Sequence, residues 1–289
     1  MGYGHEVART RKLFASLTRR GPHRVLRGDL AFAGLPGLVY TPESGFNLPA
    51  VVFGHDWLTA ADRYRRTLEH LASWGIVAAA PATERGVAPS ALNFAHDLGT
   101  TLDIVAGVRL GPGKISVHPT KLGVVGHGFG GSAAVLAAAG RSGSRFAPKT
   151  VAALFPAVTS PPAENVAAAL TIPGLVLTAP GDPHTLRSNA VELAREWDGA
   201  VLRIVSKGKP GGLGEGRRLA RVVGLPGADR STQKSVRALL TGYLLNVLAG
   251  DKTYRDFADP DAELPKTEPV DPDADPVDVE DKVIALLKP

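Results

Sequence analysis

The sequence predicts a single α/β domain, a mostly parallel central sheet with helices on both faces, and three observations carry that expectation. Short, continuous apolar runs alternate with helix-length segments over most of the chain, as expected for strands buried on both sides. The run Leu122-Gly123-Val124-Val125 leads directly into Gly126-His127-Gly128-Phe129-Gly130 and then into a small-residue helix at 133–139, a strand, tight turn and helix in sequence. Finally, 289 residues of which 44% are hydrophobic suffice for one large core.

Taken in order, residues 1–23 are expected to form a basic amino-terminal helix, with Val7, Phe14 and Leu17 on one face. The domain proper is expected at 24–258. Two short strands, 25–30 and 37–40, are joined through Gly-Leu-Pro-Gly, and a third at 50–53 precedes a helix at 63–74. A strand at 76–80 is closed by Pro81, and a long helix fills 92–110. After the strand at 122–125 come strands at 151–155, 174–177 and 201–204, with helices at 186–197 and 233–248.

Beyond Phe257 the composition changes. Asp259-Pro260, Glu268-Pro269, Asp271-Pro272 and Asp275-Pro276 remove backbone donors and bring like charges together, so residues 259–276 are expected to be an extended acidic, proline-rich linker. A short helix at 277–289 follows, with Asp275 as N-cap, Pro276 as its first residue and Val283, Ile284, Leu286 and Leu287 as its apolar contacts. A helix this short is marginal alone. It is expected to dock on a protein partner or on the chain's own body.

The composition excludes several kinds of protein. Absence of cysteine removes disulfides, thiolate metal sites and thiol nucleophiles. No apolar run is long enough to span a bilayer, and the charged start does not read as a signal peptide, so a cytoplasmic protein is expected. The net charge of +5 hides an asymmetry, because residues 259–281 hold ten acids and one lysine. Arg9, Arg11, Lys12, Arg19, Arg20, Arg24 and Arg27 crowd the other end. Contact with an anionic membrane is one reading of that crowding and a solvated helix face the simpler one; without an accompanying motif, nucleic acid is not expected.

Glycine-flanked, strand-to-helix turns of this kind are the nucleophile elbows of α/β-hydrolases, where the central residue of Gly-x-Ser-x-Gly is the attacking serine. Here that position is Gly128. The segment Leu71-Ala72-Ser73-Trp74-Gly75-Ile76-Val77-Ala78-Ala79-Ala80-Pro81, the approach His118-Pro119-Thr120-Lys121-Leu122, the elbow, Leu175-Val176-Leu177 before Asp182, and Asp251-Lys252-Thr253-Tyr254-Arg255-Asp256-Phe257 together resemble the dienelactone-hydrolase and cutinase-like polyester-hydrolase branch. The resemblance implies Asp182 as the acid of a triad and a histidine within 205–230. No histidine follows His184. With nucleophile and base both missing, the resemblance implies an inactive homologue and no cofactor.

Parts of a pocket are nevertheless expected. The backbone N–H of Phe129 and one from the Gly54-His55-Asp56-Trp57 turn sit where this fold makes its oxyanion hole, and could receive a carboxylate or ester carbonyl. Trp57 and Phe129 are candidate apolar walls. His55, His127 and His184 belong to loops at the carboxyl ends of the strands, where α/β sheets bind ligands. With Asp56 and Asp182 they offer a metal or acid–base site, although no spacing matches a metal motif. His5, His23, His70, His96 and His118 are expected on surface or helix faces. Ser132 lies a helical turn beyond Gly128, Ser206 lacks a base, and the glycine-rich 207–216 lacks the ending of a phosphate loop and is expected to be a flexible loop. The expected function is binding, of a protein partner or a small acyl or carboxylate ligand. The alternative is an ester or lactone hydrolase using His184, Asp182 and a water nucleophile.

Overall fold

The computed structural model describes residues 2–181, 187–216 and 227–268, with side chains from Val7 onward. Nine strands form one sheet: β1 (Val25–Asp29), β2 (Gly37–Pro42), β3 (Gly45–Gly54), β4 (Val77–Pro81), β5 (Ile115–His127), β6 (Thr150–Leu154), β7 (Gly174–Thr178), β8 (Ala200–Val205) and β9 (Thr267–Glu268). Their spatial order is β1-β2-β4-β3-β5-β6-β7-β8-β9. The six from β4 to β8 are parallel, and β1, β2 and β9 run antiparallel to their neighbours. The helices are α1 (Gly2–Leu17), α2 (Arg65–Ser73), α3 (Ala91–Gly107), α4 (Phe129–Gly140), α5 (Glu164–Ala167), α6 (Ala190–Glu196) and α7 (Arg230–Val247). With the strand–elbow–helix at β5 and α4, this is an α/β-hydrolase-like fold.

Alternation along the central strands divides the core. Val52 and Val124 face one side, where Phe94, Leu98 and Leu102 of α3, Val135 of α4 and Trp197 are buried. Val51, Phe53 and Val125 face the other, against Leu68 and Leu71 of α2 and Leu239, Tyr243 and Leu244 of α7. Each large side chain of this kind contributes about 1.5–3 kcal/mol on burial, so both layers are strongly held. Side-chain caps fix the long helices. Ser90 Oγ accepts from the Asn93 N–H of α3, and Asp229 Oδ1 from the Thr232 N–H of α7. Burial pushes the Tyr243 phenol well above its ordinary value, while its hydroxyl pairs with Thr150 Oγ1 at 2.7 Å.

Helix α1 lies on α7. Phe14 and Leu17 are buried in that layer, Thr10 Oγ1 donates to Asp256, and Arg9 donates to the Thr253 carbonyl. The chain after Phe257, expected as an extended linker from 259, packs on the body as far as Glu268, the last described residue. Arg203 of β8 donates to the carbonyls of Asp256, Asp259 and Ala262, Leu264 is buried, and β9 pairs Thr267 with Val205 and Glu268 with Ile204. Burial lowers the Arg203 guanidinium to about 10, against the opposing pull of Asp259. Residues 269–276 and the expected helix 277–289 lie outside the described residues. No helix among the described residues is long and apolar enough to cross a membrane.

Candidate functional site

The elbow forms because three glycines let two backbones touch. A Cβ on Gly126 would run into the Gly130 carbonyl, and one on Gly130 into Gly54, so β3, β5 and the first turn of α4 come together only without side chains there. Gly128 takes φ 55°, ψ −120°, a conformation that strains any other residue. Its N–H donates to Leu154, and its carbonyl accepts from Gly131 and Ala157.

What fills the space above Gly128 is Asp56. Its Oδ1 accepts from the Trp57 N–H at 2.8 Å and the Phe129 N–H at 3.0 Å. The Phe129 N–H is one donor expected to be open to a ligand, and the Trp57 N–H lies in the turn from which the second was expected, both at the distances an oxyanion hole requires. They are not open. The chain's own carboxylate occupies the hole, and a Cβ placed on Gly128 would overlap its Oδ1 and Cγ. The half-buried Asp56 is further fixed by its backbone, whose N–H donates to Tyr64 Oη and whose carbonyl accepts from Thr59.

The two expected histidines that lie among the described residues, His127 and His55, are spent on structure. His127 is buried, with Nε2 3.0 Å from the Pro210 carbonyl and Nδ1 2.7 Å from Tyr64 Oη. A carbonyl only accepts, so the ring proton sits on Nε2 and Tyr64 donates to Nδ1. The relay from the Asp56 N–H through Tyr64 to His127 and Pro210 thus ties the turn after β3, the turn before α2, the end of β5 and the loop after β8 together. His55 is also buried, its nitrogens against the carbonyls of Asp56 and Thr83 and its ring 4.6 Å from Phe94. Neither histidine turns a nitrogen toward Gly128. Phe129 stacks on Phe94 at 5.9 Å and belongs to the core, whereas Trp57 is 50% exposed, its Nε1 donating to the Val87 carbonyl. Ser132 is buried and donates to Ala157. Asp182 and His184 lie outside the described residues. Among those described, no group of three or more acidic or histidine side chains is placed to hold a metal ion.

Two regions depart from the sequence reading. His70, expected on a surface or helix face, lies on α2 but is only 7% exposed; burial and then the nearby Arg237 lower its imidazole to about 4, against a hydrogen bond that it donates to the Leu17 carbonyl. The glycine-rich loop after β8, expected to be flexible, is docked. Besides the His127 contact, Gln233 donates to Gly212, Glu215 N–H donates to the Arg63 carbonyl, and Arg63 donates to Gly216. Burial raises the Glu215 carboxyl, partly offset by the Arg66 N–H on Oε2.

Four of the six non-glycine residues with positive φ among those described lie on the rim of the site, Asn47 and Lys266 being the others. Leu58, Glu84, Phe155 and Lys207 all have φ between 49° and 56° although none is glycine, and they follow β3, β4, β6 and β8 on the same sheet end as Gly128. Such outliers gather where the chain is held for a purpose other than stability. Leu58, Trp57, Val158 and the 80% exposed Val87 leave apolar surface on those loops. Sequence reasoning had the correct turn but missed the role of Asp56. The signal was an acid directly beside the hole-forming amide of Trp57. No protein-family model matches this sequence, and no curated protein is significantly similar to it.

Proposed function

We propose that this chain is a non-hydrolytic binding protein on an α/β-hydrolase-like scaffold, with its site at the loop end around Asp56 and Trp57. The observation that carries the reading is the Asp56 carboxylate on the amides of Trp57 and Phe129. Acyl transfer needs a nucleophile at the elbow and an empty pair of donors for the developing oxyanion. Gly128 supplies no hydroxyl. A fixed negative charge in the hole opposes a second one, so the donors worth several kcal/mol to an esterase transition state are already committed. His127 cannot substitute as base while both its nitrogens hold Tyr64 and Pro210.

The scaffold's branch is inferred from the sequence resemblance to dienelactone hydrolases and cutinase-like polyester hydrolases. An acyl or carboxylate ligand, one of the two kinds expected, would have to evict Asp56. The exposed Trp57, Leu58 and Val87 favour binding of an apolar body at the rim. A protein partner held by the 277–289 helix remains a separate expectation from the sequence. The test is direct: purified full-length protein incubated with p-nitrophenyl butyrate and with a fluorophosphonate probe is expected to show background hydrolysis and no label. Stoichiometric phosphonylation or enzymatic turnover would overturn the reading.

A further inference from the structure

Resting on that reading, we infer that the site has inverted the charge preference of a hydrolase and takes a primary ammonium carried on an apolar body. A hydrolase hole presents donors and receives an oxyanion. Here the donors are consumed by Oδ1 of Asp56, and among the described residues Oδ2 takes no hydrogen bond. What the loop end presents at that point is therefore an acceptor with a negative charge. Its neighbours suit the other end of such a ligand. Trp57, next in sequence and half-exposed, is held by its Nε1–H on the carbonyl of Val87, which is itself exposed, as is Leu58, the residue that follows Trp57. An indole attracts a cation through its ring face and an alkyl chain through its area, whereas a carboxylate gains from neither.

The carboxylate is also pre-organised. Two backbone donors, the Tyr64 contact of its own N–H and the turn closed by Thr59 fix Asp56 before any ligand arrives. Little ordering cost is left for binding. The open oxygen can accept from an ammonium without giving up either amide, so the elbow need not move. A carboxylate ligand, by contrast, must break both bonds and sit beside the displaced acid.

The experiment titrates ¹⁵N-labelled full-length protein with hexylamine, hexanol and hexanoate, chains of equal length, and follows the amide signals of Trp57 and Phe129. Hexylamine is expected to bind about tenfold or more tighter than hexanol, as a charge-assisted hydrogen bond implies, and hexanoate more weakly than either. Asp56→Asn keeps an acceptor for the two amides and removes the charge; it is expected to bring hexylamine to the level of hexanol. Hexanoate binding tightest, equal affinity for amine and alcohol, or no response at Trp57 and Phe129 to any probe would each overturn the inference. The wild-type comparison needs no variant, so an unfolded Asp56→Asn protein would not shelter it. Failure here leaves the phosphonate result standing, whereas phosphonylation would remove the underlying reading itself.

Discussion

Replacing Gly128 by serine returns the hydroxyl to the elbow, and the geometry sets what that costs. The new Cβ must take the space of Asp56 Oδ1 and Cγ, so the carboxylate leaves the amides of Trp57 and Phe129. Hydrogen bonds to a charged group are worth about 1.5–3 kcal/mol each, and a non-glycine residue in a sparsely populated backbone region costs about 1–3 kcal/mol. Asp56 is half-buried and recovers hydration on leaving, which offsets part of the first term. A net loss of about 3–5 kcal/mol is expected, which lowers Tm by roughly 10 °C for a domain of this size. The control is the double variant Gly128→Ser with Asp56→Ala. Removing the obstructing carboxylate leaves mainly backbone strain, so the double variant should be more stable than Gly128→Ser alone, a non-additivity diagnostic of contact. Urea unfolding of the four proteins measures it. Both serine variants should resist fluorophosphonate, because His127 stays committed to Tyr64 and Pro210. A Gly128→Ser protein as stable as wild type would refute the overlap, and additive losses would refute the coupling.

His70 makes stability pH-dependent. Neutral in both states above pH 6.5, it protonates first in the unfolded chain as pH falls and in the folded protein only near about 4, so stability is lost across that window. The loss attributable to it at pH 4.5 is about 2–3 kcal/mol, measured as the difference between wild type and His70→Gln in urea melts at pH 7 and 4.5. Arg203→Met strands the carbonyls of Asp259 and Ala262; a loss of about 3 kcal/mol and faster amide exchange over 256–268 are expected in hydrogen-exchange mass spectrometry. Truncation after Glu268 should leave Tm nearly unchanged, whereas truncation after Phe257 also removes Leu264 and should lower it by several degrees.

The layers were legible because they are local. Apolar runs such as 151–154 and 174–177, and the glycines around 126–130, declare strand and elbow through period and backbone freedom alone. The short β9 and α5 carry no such period, and their placement depends on partners elsewhere in the chain, β8 and Arg203 for β9 and Asn189, which donates to Glu164, for α5. Burial of His70 was hidden likewise, since α2 meets α7 only in three dimensions. At the site, the missing serine was plain in the sequence, but the occupant of the hole was not. Asp56 and Gly128 are 72 positions apart, and only the closeness of β3 to β5 sets the carboxylate on the Phe129 amide.

A sheet this wide ends in two strands whose outer backbone groups face a prospective template partner. On one side β1 is five residues long with Arg27 and Asp29 exposed, a poor surface for strand addition. On the other, β9 covers the end of β8 and the Arg203 guanidinium gathers the passing carbonyls, so the acidic segment acts as a self-supplied cover against edge-to-edge polymerisation. Losing it would expose β8 to a second molecule, and the damage would grow with protein concentration as well as with temperature.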